Sequence, residues 1–201
     1  LKTVEYISKS RTPYLPYSCI ILDEIMKVSN PKKIICSISG LREGSLSIEY
    51  FKDVKESEIF YKALEKVAQK RGDLGSNYKK YYDFIQPVFE GNEHFNKKLL
   101  YLACVLSHMD WGLGAFQKAE LVFQETINTP LLRLTHKEGI QLALSCYWRY
   151  CSIKYNPKIE YLTFLNNNEI FSSKQVGAAL RFSQSLTSIS TIFLEEFKLY
   201  K

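Results

Sequence analysis

Histidine is scarce in this chain. Its 201 residues include three, His94, His108 and His136, and none is followed directly by Asp. A divalent-metal centre draws on several His and carboxylate side chains at close spacing, so little in the sequence supports one. The five cysteines, Cys19, Cys36, Cys104, Cys146 and Cys151, are odd in number and form no Cys-x-x-Cys pair. That argues against structural zinc and against a disulfide framework. Each has apolar neighbours, so buried reduced thiols and a cytoplasmic compartment are expected. No apolar run approaches the ~20 residues that cross a bilayer. The N-terminus lacks the basic start and apolar core of a signal peptide, and no membrane partner is expected. No Ser or Cys has a His and an Asp at a spacing that would activate it as a nucleophile. Repeats, low-complexity tracts and nucleic-acid-binding motifs are missing too.

What is there is ordinary globular material. Hydrophobic residues make up 46% and charged residues 24% of the chain, enough for one or two domains with a core of their own. The formal net charge of +6 favours anionic partners without choosing among them. The lysines are spread out, with only short pairs at Lys32-Lys33, Lys79-Lys80 and Lys97-Lys98. Such a pattern fits a solvated surface as well as a binding track. The 14 Tyr, 12 Phe and 2 Trp fall mostly at helical spacing beside Leu and Ile. That assigns them to packing rather than base stacking, and nucleic acid is not an expected partner. Leu1 in place of Met gives the expectation of a fragment.

Periodicity predicts a mainly α chain. Residues 14–29 form an amphipathic helix, with Pro16 suited to its first turn and Asn30-Pro31 ending it. Lys33 to Ser37 reads as a short strand, followed by a turn at Gly40 and a helix over 42–51. One strand cannot be buried alone. No convincing second strand follows, so this one is expected to slot into a sheet encoded elsewhere. Beyond Asp53 the spacing is helical throughout. Helices are predicted over 56–71 (ended by Gly72 and Gly75), 77–89, 93–109, 115–128, 136–151 and 172–198. Ser172 or Ser173 is the predicted cap of the last. A loop over 156–168 contains a short helical turn near 159–165. The expected division is an α-β-α tail over 1–51 and a helical domain over 52–201.

The segment Ser37-Ile38-Ser39-Gly40-Leu41-Arg42-Glu43-Gly44 stands between that strand and helix. A strand, a glycine turn and a helix start can present backbone N–H groups to an anion, although a turn glycine often serves only positive φ. The wording of the run Ile34 to Tyr50, IICSISGLREGSLSIEY, resembles the S-x-x-G-L-R-E-G-x-L-Y signature of the exopolyphosphatase/guanosine pentaphosphate phosphohydrolase (Ppx/GppA) family. The helix from Arg11-Thr12-Pro13-Tyr14 onward is similar to the one that precedes it there. Three weaker similarities follow. Ala103 to Glu120 resembles A-C-L-L-x-D-I-G-W-R-x-H-P-D-Y-R-x-E, with Lys118 in place of Arg. Asp73 to Tyr81 resembles R-x-P-x-H-x-x-E-L, with Asn77 at the His position. Thr135 to Leu144 resembles D-H-P-G-R-A-F-L-A-L and keeps His136. Arg149-Tyr150 matches the family's Arg-Tyr pair.

The resemblance implies the C-terminal part of an enzyme that releases terminal phosphate from polyphosphate or guanosine pentaphosphate. In that family water attacks a terminal phosphorus in line, with Mg2+ offsetting charge. The implied fold is the end of an actin-like (ribonuclease H-like) ATPase lobe followed by a helical HD-like domain. The catalytic groups would lie upstream, so none is expected in this chain, and no metal or cofactor is expected on it. The phosphate-binding candidates are Arg42, Lys118, His136 and Arg149. The implied partners are polyphosphate or a guanosine polyphosphate, and a second copy of the chain. Packing positions match the family better than polar ones: Gly112, Gly114, Phe116 and Gly139 stand where the family has polar or charged residues. Losing several Arg removes bidentate phosphate donors. Arg42 has a second reading, an ion pair with Glu43 in a first helical turn. Two other functions remain open: a helical regulatory or protein-interaction module without activity, and a metal-dependent HD phosphohydrolase suggested by His108-Met109-Asp110.

Overall fold

The structure, a computed structural model, describes residues 8–34, 40–50, 62, 64, 66, 69, 77–91, 96–108, 112–129, 134–157, 159–187, 192–197 and 199. Among them every regular element is helical. The expected strand is not seen: Lys33 and Ile34 belong to no strand and Ile34 is 55% exposed, while 35–37 fall outside the described residues. The mainly α expectation holds, and the α-β-α tail is not observed. The chain divides into two compact units, Leu1–Cys36 and Ser37–Lys201.

The first unit contains α1, Leu15–Ser29, entered through a 3-10 turn over Thr12–Tyr14. Pro16 sits in the first turn, where its missing N–H has no intrahelical partner to lose. Asn30 ends the helix in the left-handed region (φ 40°, ψ 57°) and its N–H donates to Met26 O at 2.9 Å. Asn is among the few residues that tolerate this conformation, and Pro31 then prevents continuation. Tyr14, Tyr17, Ile21, Ile25 and Val28 recur at spacings of three and four, yet no residue of α1 is buried. Lys27 is paired to the carboxylates of Asp23 and Glu24 at 2.7 and 2.8 Å.

In the second unit α2 spans Leu41–Tyr50, directly after Gly40. Residues 62, 64, 66 and 69 are helical. Then come α3, Tyr78–Ile85, continued by a 3-10 turn through Phe89, and α4, Lys97–Leu106. The remaining helices are α5, Ala115–Asn128; α6, His136–Tyr150; α7, Ile159–Leu162; α8, Asn167–Thr187; and α9, Phe193–Glu196. Two expectations are corrected. The last helix begins near Asn167, because Asn166 Oδ1 accepts from Glu169 N at 2.9 Å while the Glu169 carboxylate accepts from Asn166 N at 2.8 Å. Ser173, expected as a cap, is buried mid-helix and donates to Glu169 O at 3.0 Å. Also, the helix expected through 198 is not continuous: α8 is described through Thr187, 188–191 lie outside the described residues, and Ile192 is in a turn before α9.

The second unit is organised around α6, which is buried almost continuously from Gly139 to Arg149. One face, with Leu142 and Cys146, packs with α3, α4 and α8; the other, with Ile140, Ala143, Leu144, Tyr147 and Trp148, packs with Ala119 and Phe123 of α5. A helix apolar on all sides belongs in a centre. Its start is fixed by a capping box: Thr135 Oγ1 accepts from Glu138 N at 3.2 Å and the Glu138 carboxylate accepts from Thr135 N at 2.8 Å. Near the starts of α4 and α6 Asn96 Nδ2 donates to Glu138 Oε1, and at their ends Arg149 Nη1 donates to Ser107 Oγ, both 42 residues apart. A constant offset means that α4 and α6 run parallel. The α6–α8 contacts also rise together, from Lys137–Glu169 through Trp148–Gly177 to Arg149–Gln184. So α4, α6 and α8 point the same way.

At the α6–α8 crossing a Cβ added to Gly177 would lie 2.6 Å from Trp148 Cβ and 2.8 Å from Ser145 O. Gly177→Ala therefore forces the helices apart. Even after the ~1 kcal/mol that Ala gains over Gly in a helix, we expect a net loss of at least about 2 kcal/mol, read as a lower urea midpoint. Gly139→Ala is the matched control. Nothing lies within 4 Å of its added Cβ, so it should stabilise by up to ~1 kcal/mol. Thr126 Oγ1 is buried on α5 with no hydrogen-bond partner among the described residues. Thr126→Val should raise stability by about 1 kcal/mol, since it removes an unsatisfied hydroxyl without changing shape.

Candidate functional site

Among the described residues the densest polar constellation lies at the common end of α4, α6 and α8. At its centre is Arg149, 2% exposed, in the last turn of α6. Its Nη1 donates to Ser107 Oγ at 2.5 Å. Its Nη2 donates to the ring of His108 (Nδ1 at 3.2 Å) and to Gln184 Oε1. Ser107 and His108 immediately follow α4, and Gln184 lies in the last turn of α8. The guanidinium also lies 5.8 Å from the ring centroid of Tyr81 on α3 and 5.5 Å from that of Tyr150. Tyr150 OH donates to Ser107 O at 2.7 Å. Tyr81 OH and Thr187 Oγ1 are 2.8 Å apart, and Thr187 Oγ1 donates to Gln184 O at 3.0 Å. Four helices thus meet on one side chain.

A guanidinium only donates, so the His108 nitrogen facing it is the unprotonated acceptor. No ion pair to Arg149 is seen among the described residues, and its buried Nε lacks a hydrogen-bond partner there. Burying an unpaired charge costs several kcal/mol. The convergence of three helix C-termini offsets that cost, because each carries roughly half a negative charge on its last carbonyls. The two tyrosine ring faces add further attraction.

Cys104, on α4, is fully buried nearby. Burial pushes its thiol well above the ordinary value of 9.0, against a smaller opposing pull from Arg149. Burial likewise raises Tyr147 and Cys151. A thiol held protonated is a poor nucleophile, and Cys104, Cys146 and Cys151 behave as packing residues, as expected for them. Cys19 departs from that expectation and is exposed on α1. Cys36 lies outside the described residues.

The four sequence candidates fall in different places. Arg42 is exposed in the first turn of α2. His136, exposed at the start of α6, stands edge-on to Phe164 with centroids 5.5 Å apart. Arg149 is thirteen residues further along the same helix, about 20 Å at 1.5 Å per residue. Lys118 is half-buried early in α5. Glu120, in the second turn of α5, acts electrostatically on Tyr147 and Cys151, which sets early α5 beside late α6, away from His136. The structure therefore distributes these cations, and turns the donors of Arg149 inward. Ser107, Gln184 and Tyr81, which complete its surroundings, were not singled out by the sequence. No group of three or more His, Cys, Asp or Glu suited to a metal stands together among the described residues. His94 and Asp110 lie outside them.

Arg149→Lys keeps the charge but cannot reach Ser107, His108 and Gln184 together from one ammonium. It should cost about 3 kcal/mol, measured by chemical denaturation. Alkali should also destabilise the fold. Above pH 9 an unfolded Cys104 loses its proton while the folded one keeps it, so stability present below that pH falls as pH rises. Cys104→Val should flatten this decline by up to one proton, about 1.4 kcal/mol per pH unit.

No family model, curated protein or solved structure matches this chain.

Proposed function

We propose that the chain is the C-terminal part of a phosphohydrolase of the exopolyphosphatase/guanosine pentaphosphatase type. On this reading it supplies substrate grip and contacts between domains or protomers, while the catalytic groups belong to a preceding part. The observation that carries the reading is the turn at Gly40. The run that resembles the family signature begins a helix at its second glycine-turn residue, Leu41, with Gly44 N–H bonded to Gly40 O at 3.2 Å. Arg42 is then exposed beside first-turn N–H groups that have no intrahelical acceptor. That is a chemistry suited to a terminal phosphate. Arg149, drawn inward, acts as scaffold; Arg42, Lys118 and His136 are the candidates left for anion contact.

The apolar face of α1 favours a second reading. Tyr17 is 67% and Val28 87% exposed, and a face of this kind needs a cover. In the phosphohydrolase reading the cover is the sheet of the preceding lobe. In the alternative, a helical interaction module without activity, it is another protein.

Long-chain polyphosphate separates the two. With magnesium present, the 201-residue chain should release no phosphate above background. It should bind the polyanion, and that binding should weaken about tenfold or more between roughly 50 and 200 mM salt. Arg42→Ala should lower the affinity several-fold. Turnover by this chain would overturn the assignment of catalysis to a preceding part. Absence of binding at low salt would leave the interaction module as the better account.

A further inference from the structure

We draw no further inference here: the strongest candidate, the cleft between α4, α6 and α8 lined by Asn96, Gln141, Ser145, Ser172 and Ser173, has room for little more than a water molecule, and the buried hydroxyls of Ser145 and Ser173 are already bonded to carbonyl oxygens of their own helices.

Discussion

Three helices of the second unit run parallel, and that constrains everything around them. Parallel helices place like dipole ends together, a repulsive arrangement at both poles. At the C-terminal pole the remedy is one cation, Arg149, inserted among the last turns of α4, α6 and α8. At the N-terminal pole the remedy is two first-turn carboxylates, Glu138 and Glu169, together with the Asn96 cap. The same side chains that balance charge also tie the helices. Glu138 closes a capping box on α6 and accepts from Asn96 of α4, and Glu169 pairs with Lys137 at 2.8 Å. Electrostatics and register are thus set by the same few residues.

The returning segments fit this plan. α5 runs back between α4 and α6 and fills the second core with Ala119 and Phe123, against Tyr147 and Trp148. The short α7 and its flanks cover that core, with Tyr161 edge-on to Phe123 at 4.9 Å. On the other side α8 comes close enough to α6 for glycine to be required at the crossing. Trp148 illustrates the result. Its Cβ and backbone lie against Gly177, its Nε1 donates to Tyr155 O at 2.8 Å, and Lys174 stands 5.2 Å over its ring.

Local signals in the sequence were read well where local chemistry decides. Asn30-Pro31 ends α1, α5 matches the 115–128 expectation, and α6 begins at His136 as expected, held by a Thr135–Glu138 capping box that the spacing did not single out. The Gly40 turn opened a helix within one residue of its expected start. Boundaries failed where several polar residues compete. Asn166 caps α8 in place of Ser172 or Ser173, and Asn96 caps α4 within the range 93–109 expected to be helical. The candidate site was legible only in part. Arg149 was visible as a cation beside Tyr150, but arginine is rarely buried without a carboxylate. Its inward turn depends on α4 and α8 arriving from 42 residues before and 35 residues after it, a long-range fact that no local pattern encodes. Ser107 and Gln184 carry no signature of their own, so nothing in the sequence marked them.

The end of the chain returns to α3, where Lys80 pairs with Glu195 at 2.6 Å and Leu199 N–H donates to Phe84 O at 3.2 Å. Synthesis proceeds from the N-terminus, so α3 leaves the ribosome more than a hundred residues before the strand of chain that clasps it. Until residues 195–199 have emerged, that flank of the helical unit stays open at Lys80 and Phe84. A chain cut before Glu195 would have a core that is nearly complete and a seam that never closes.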